Sequence, residues 1–214
     1  LRLYNQPNSS KSKSCCAGID INDAKKVADQ YNFPHFVFDY QDKFFEGVIS
    51  NFIDSYANGE TPVPCIQCNQ TVKFSDLLEE SKKLKADTLV TGHYAIRKGG
   101  LKKSKLFKAK DLKKDQSYFL FATLQDQLDY VRFPLGVYLK SEIRQMAEDF
   151  KLRVSDKPDS QDICFVTSDS YRDLINKVNP ELNKEGNIFD LHGNKIGVHK
   201  GITNYTIGQR KGIG

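Results

Sequence analysis

The chain has no tryptophan, a single methionine and only four histidines in 214 residues. Long apolar runs are missing as well. The richest stretches, "FVF" and "YFLFA", are far shorter than the ~20 residues that cross a bilayer as a helix. No secretory or transit segment is evident, so the expected compartment is cytoplasmic. Five cysteines is an odd number, and their spacing is irregular. This argues against a disulfide framework. In a reducing compartment such cysteines bind metal, take part in catalysis or pack as small hydrophobes.

What is present supports a folded core: 39% of the residues are hydrophobic, and 11% of the whole chain is aromatic. The length suits one good-sized domain, or one domain with part of another. The opening "LRLYNQ" reads as a strand already under way and the final "GQRKGIG" offers no closing element, so an extension in both directions is expected. The net charge of +5 is concentrated. From Arg97 to Lys114, Arg97 and eight lysines stand against Asp111 alone, so the rest of the chain is slightly acidic. Two readings are open: a solvated, lysine-blunted hairpin edge, or a phosphate-contacting patch for nucleic acid.

Apolar periodicity predicts a helix capped by Asn22 or Asp23 and a second over about 41–56 carrying Phe45, Val48, Ile49, Phe52 and Tyr56 on one stripe. A third is predicted from about 69 to 85, a fourth over 141–150 and a fifth over 171–178. Strands are predicted at "LRLY", "FPHFVFD", "ADTLVTGHY" and "DICFV". Strand and helix alternate at the pitch of a parallel sheet covered by helices, whose ligands bind beyond the carboxyl ends of the strands. The pattern then changes to a hairpin, "GNIFDLHGNKIGVHKG", turning at His192-Gly193-Asn194, which marks a second, smaller, β-containing unit.

The stretch "TPVPCIQCNQTVKF" (61–74) carries the chemistry. Cys68 is predicted to lie one residue ahead of a helix, where unpaired N–H groups and the helix dipole lower a thiol's pKa. A buried, inert thiol is the alternative. Cys65 and Cys68 also have the spacing of a metal half-site, but no second such pair exists to complete a zinc ribbon. With Cys164 they make three ligands, enough for an iron–sulfur cluster with one open iron if the fold brings them together. His93, after Gly92 at a strand end, is either a substrate-positioning group or a satisfied loop histidine. Lys114, Asp115 and Gln116 suit RNA contacts or a helix start.

Taken together, "TPVPCIQCNQTVKF", "TGHYA", "KDQSYFL", "FPLG", "SQDICF" and "YTIGQRKGIG" resemble the tRNA-specific 2-thiouridylase family (MnmA type), in order and over nearly the whole chain. The resemblance implies an α/β fold with a doubly wound parallel sheet of the PP-loop, adenine nucleotide alpha-hydrolase-like class. It implies a catalytic PP-loop ATP pyrophosphatase-like domain over 1–166 and part of a central tRNA-binding domain over 167–214. The implied activity is ATP- and Mg2+-dependent sulfur transfer to C2 of the wobble uridine of tRNA, with a cysteine desulfurase or relay protein as sulfur donor. By the same resemblance Cys68 is similar to the nucleophile and Cys164 to the persulfide carrier, and the two can form a disulfide. Gly92 and Leu3 correspond to nucleotide contacts. His93, Lys114, Asp115 and Gln116 correspond to tRNA contacts, and Val63, Pro64 and Cys65 fall where the target base is met.

Two departures stand out. The family's Ser-Gly-Gly-x-Asp-Ser-type ATP loop and first strand are absent before Leu1, so this chain alone is expected to be inactive. Cys65 occupies the position of an aspartate proposed as general acid/base, a job that a thiol cannot do at the same pKa. That substitution keeps a cluster-dependent alternative open, in which Cys65, Cys68 and Cys164 hold a 4Fe–4S cluster. A non-catalytic RNA-binding module is the third reading.

Overall fold

The computed structural model describes residues 1–4, 18–100, 102–159, 163–166 and 170–212. Cys15 and Cys16, to which the sequence assigns no role, lie outside the described residues. Helix α1 (Gly18–Tyr31) starts ahead of the predicted cap, so Asn22 and Asp23 are helical residues, and Ala28 is its buried contact. Helix α2 (Gln41–Phe44) runs through a wider π-type turn (Phe45–Ser50) into α3 (Asn51–Ala57), making one rod that buries Phe44, Val48, Ile49, Phe52, Ile53 and Tyr56. The predicted stripe holds except at Phe45, which is exposed.

The next rod departs most from expectation. Helix α4 (Pro64–Cys68) continues through a π-type stretch (Asn69–Asp76) into α5 (Leu77–Lys83). The start is five residues earlier than predicted because Pro64 occupies the first turn, where its missing N–H costs nothing and its φ is already helical. Leu77 N–H donates to the Val72 carbonyl, the i−5 bond of π winding.

Among the described residues parallel pairing is present in two places. Strand β1 (Leu89–Val90) pairs in parallel with β4 (Val131–Arg132), and Arg2 forms a parallel bridge with Asp39. The chain is thus α/β with parallel pairing, as expected, although "LRLY" and "FPHFVFD" contribute one bridge rather than full strands. The predicted strand at "DICFV" is corrected: its described part, 163–166, is a turn closed by Val166 N–H to the Ile163 carbonyl at 3.0 Å. Strands β2 (Ala95–Lys98) and β3 (Lys105–Lys108) form an antiparallel hairpin that carries much of the basic segment. Gly136 packs on it so closely that an added Cβ would lie 1.8 Å from the Ala95 carbonyl oxygen.

Helix α6 (Gln125–Tyr130) leads into β4, and α7 (Lys140–Asp149) matches the fourth predicted helix. Helix α8 (Tyr171–Val178) falls where predicted, with the Ser170 hydroxyl accepting from Arg172 N–H as its cap. The hairpin β5 (Gly186–Phe189) and β6 (Lys195–His199) turns through Gly193 at φ +83°, a conformation that favours glycine.

Two hydrophobic clusters result among the described residues. The first joins Leu3, Tyr40, Phe44, Val48, Phe52, Tyr56, Cys68, Val72, Phe165 and Ile175, among others, with Ile163, Cys164 and Tyr171 packed against it. The second joins Phe74, Leu78, Ala95, Leu120, Leu128, Val131 and Phe133. The α4–α5 rod supplies residues to both.

Candidate active site

Cys68 lies at the end of α4 with helical residues on both sides, not ahead of a helix. It carries a free thiol, is buried at 7% exposure and packs in the first cluster. The predicted lowering of its pKa is therefore corrected. Burial pushes the thiol up, and the Lys73 cation only partly offsets this. The dipole argument fails because the N-terminus of this helix lies a turn earlier, at Val63 and Pro64. Cys65, in that first turn, is exposed.

Cys164 is half-buried and packs on the cluster that contains Cys68. Its neighbour Phe165 anchors the turn, meeting Phe44 and Phe52 edge-on with ring centroids 5.7 and 5.3 Å apart. Two cysteines distant in sequence are thus drawn to one apolar region by aromatic packing. Among the described residues, no group of three or more His, Cys, Asp or Glu side chains is arranged to hold a metal ion. The fold brings Cys68 and Cys164 to one cluster but does not gather the full three-cysteine set.

Next to Cys68, Asn69 is buried, and its amide nitrogen donates to the Phe119 carbonyl at 2.9 Å. Its Oδ1 is buried without a hydrogen-bond partner among the described residues. This bond ties the cysteine helix to the "KDQSYFL" segment. Val63 and Pro64 line an open cavity of about 250 Å3, together with Val48, Asn51, Phe52 and Gln67. It is mostly apolar, with amide groups at its wall.

A second cavity, about 380 Å3, is lined by Leu1, Lys73, Leu77, Thr91, Gly92, His93 and Gln116. It opens beyond the carboxyl end of β1, where α/β proteins receive ligands. Leu3 is not part of this wall. Its side chain is buried in the first cluster, and Leu1 faces the cavity instead. His93 sits against Phe74 and Phe133, each ring centroid 6.0 Å away, and its Nδ1 meets the Thr91 hydroxyl at 2.8 Å. Burial, reinforced by the Lys73 charge, pushes its pKa down to about 3, so the imidazole is neutral at physiological pH.

The three polar residues of "KDQ" have separate duties. Lys114 makes an ion pair with Asp159 at 2.8 Å. Asp159 also holds Lys140 at 2.9 Å, and its pKa is lowered to about 2 by hydrogen bonds from Lys114 and Lys140. Asp115 is turned inward. Partial burial opposes its ionisation, but bonds from Ala109 N–H and the Ser117 hydroxyl, both 2.7 Å, hold its pKa below the usual carboxylate range. Gln116 clasps the Tyr94 backbone, donating its N–H to the carbonyl at 2.8 Å and accepting the Tyr94 N–H on Oε1 at 2.9 Å. Lys73, Asn69 and Asp159 were not singled out by the sequence reading. The signal for two of them is the i, i+4 ladder Asn69-Lys73-Leu77, which puts one polar and one cationic group in line with a cavity residue.

A family model described as "tRNA methyl transferase HUP domain" matches residues 1–168, and one described as "tRNA methyl transferase PRC-barrel domain" matches residues 172–214. The chain is 53% identical over its whole length to a protein of Rickettsia bellii (strain OSU 85-389) named "tRNA-specific 2-thiouridylase MnmA". Proteins of the same name from Rickettsia massiliae (strain Mtu5) and Rickettsia prowazekii (strain Madrid E) are 52% identical over the whole chain and 53% identical over 95% of it. The chain spans 59%, 59% and 57% of the lengths of these three relatives. Among the described residues no helix is long and apolar enough to cross a membrane.

Proposed function

This chain belongs to the family described as tRNA methyl transferase HUP domain, and on that premise we propose that it is the sulfur-transferring part of a tRNA 2-thiouridylase. The substrate is tRNA, the acceptor is C2 of the wobble uridine, and the site of action is the cytoplasm. Residues 1–166 form the catalytic domain and 167–214 part of a central tRNA-binding domain. ATP, with Mg2+, supplies the adenylyl group that converts the C2 oxygen into a leaving group. The residues of the larger cavity fit a nucleotide in kind: a lysine, a glycine beyond a strand end and two apolar side chains, Leu1 and Leu77, with no carboxylate among the lining residues.

The chain's own residues divide the remaining work. Cys164 carries the transferable sulfur as a persulfide, loaded by a cysteine desulfurase or relay protein. Cys68 attacks the Cys164 sulfur, so that the S–S bond to the terminal sulfur breaks, that sulfur passes to C2, and a Cys68–Cys164 disulfide forms. An external thiol reductant then restores both thiols. Val63 and Pro64, which line the smaller cavity, receive the base together with Cys65, while His93, Lys114 and Gln116 contact the RNA and Asp115 shapes the loop that presents them.

The single observation that carries this reading is the packing of Cys68 and Cys164 on one cluster beside two cavities. Its test is nucleoside analysis of tRNA from cells complemented with the full-length protein or its Cys68→Ser and Cys164→Ser variants. Formation of 2-thiouridine with the parent only is the expected result. Equal thiolation by either variant overturns the reading. Near-stoichiometric iron and sulfide in anaerobically purified protein, lost on Cys65→Asp, would replace the persulfide chemistry with cluster chemistry.

A further inference from the structure

Among the described residues that line the larger cavity, Lys73 has the one cationic side chain, and the sulfur chemistry above gives it no step of its own. It is half-buried within the α4–α5 rod and lines the cavity beside Leu77, Thr91, Gly92, His93 and Gln116. Several lysines that approach other elements are matched by acids: Lys43 with Asp76, Lys110 with Glu142, Lys114 and Lys140 with Asp159. Among the described residues Lys73 makes no such pair within 4.0 Å. A partly desolvated ammonium without a counter-ion favours an anionic ligand.

The walls around it agree. His93 is uncharged, and the Gln116 Oε1 is already committed to Tyr94 N–H. Gly92 is not required by the fold. Its backbone is outside the left-handed region, and an added Cβ would meet only Leu135 Cδ1 at an ordinary 3.7 Å. A glycine with no internal reason leaves the backbone open to close approach by a ligand. The charge of Lys73 is also felt at two places, the His93 ring and the Cys68 thiol. An anion held by Lys73 therefore offsets a charge that both groups feel.

We propose that Lys73 is the phosphate-binding residue of this cavity and that its ligand is the phosphate of a nucleoside monophosphate unit. The identity of that unit as adenylate rests on the 2-thiouridylase reading; the anion site itself does not. In that setting Lys73 grips the phosphate that leaves with the C2 oxygen, and its ammonium stabilises the charge released on departure.

The test is calorimetric titration of AMP into the full-length protein, its Lys73→Met variant and its Lys73→Arg variant. Loss of a charge-assisted contact weakens AMP binding by about ten- to hundredfold in Lys73→Met. Lys73→Arg retains most of the affinity, and tRNA binding by both variants matches the parent. AMP affinity unchanged in Lys73→Met, or no AMP binding by the parent, overturns the proposal. A rise in the pH midpoint of Cys68 alkylation with AMP affinity unchanged also overturns it, because the lysine would then serve the thiol alone. Should Lys73→Met fail to fold, Lys73→Gln is titrated in its place. AMP binding lost in the variant while the parent forms no 2-thiouridine keeps the anion site and removes the thiouridylase reading.

Discussion

The two hydrophobic clusters bury different chemistry with the same physical result. In the first, the aromatic edges of Phe44, Phe52 and Phe165 surround the region of Cys68 and Cys164. In the second, Phe74 and Phe133 flank His93. Desolvation raises the thiol and lowers the imidazole, which are opposite movements of pKa. Both movements leave the group uncharged at neutral pH. Among the described side chains that line the larger cavity, the charged one is Lys73, on the helix that connects the clusters. The difference teaches that the site is held neutral by packing rather than activated in advance by a helix dipole.

The largest effect should come from removing the sulfur. Cys68→Ser and Cys164→Ser in the full-length protein are expected to lower 2-thiouridine formation by a thousandfold or more, on the order seen when one member of a catalytic unit is lost. Quantitative nucleoside analysis reads this, and unchanged midpoints of thermal unfolding would separate it from damage to the fold.

The aromatic edges come next. Phe52→Ala should destabilise the chain by about 3–5 kcal/mol, as for large core aromatics generally, because Phe52 is 1% exposed and touches Tyr56, Phe165 and Tyr171. Phe74→Ala should cost a similar amount. The pair sharpens the comparison in a second measurement. Phe52→Ala should speed alkylation of Cys164, whereas Phe74→Ala should raise the His93 pKa followed by NMR. The same response from both variants would mean that the clusters are one core.

A third effect is in pH. His93 is neutral in the fold down to about pH 3 but binds a proton in the unfolded chain below about 6.5. Between those values the unfolded state holds more protons, so this residue's contribution is present above about pH 6.5 and is lost as pH falls towards 3. Chemical unfolding at pH 7 and pH 5 should show the loss in the parent, and His93→Gln should flatten it.

The smallest effect belongs to the surface. Asp159→Asn removes the anion shared by Lys114 and Lys140 and should cost only about 0.5–1 kcal/mol above pH 4, because these groups are partly solvated. The contribution fades as pH falls through the folded value of about 2. A cost several times larger would mean that the ion cluster braces the turn bearing Cys164.

Helices with strong periodicity and clear caps were legible in the sequence. Tyr171–Val178 begins after Ser170 where its pattern says it should, and the hairpin turns at Gly193 as its composition demands. The cysteine helix was misread for a specific reason. Pro62 and Pro64 look like loop punctuation, yet proline in the first turn is equally a start signal, and only packing decides between the two. That single boundary carried the thiol from an activating terminus into a buried turn. Lys73 was illegible because a lysine on a helix is ordinarily a solvated one. Its meaning comes from Leu1, the loop after β1 and Gln116 of the "KDQ" segment, all distant in sequence.

The π-type stretch from Asn69 to Asp76 has a consequence for how this site tolerates change in length. An α-helix advances ~100° per residue, and π winding absorbs extra residues within the same rise. The stretch therefore sets the rotational phase between Cys68, committed to one cluster, and Leu78, committed to the other. Deleting one residue there could be taken up by a return to α winding, whereas inserting one would leave every named site residue in the sequence but turn the two halves of the rod out of register by about the angle of one α-helical residue. The spacing is a frame, and a frame shift within a folded rod can silence a site whose chemistry is otherwise intact.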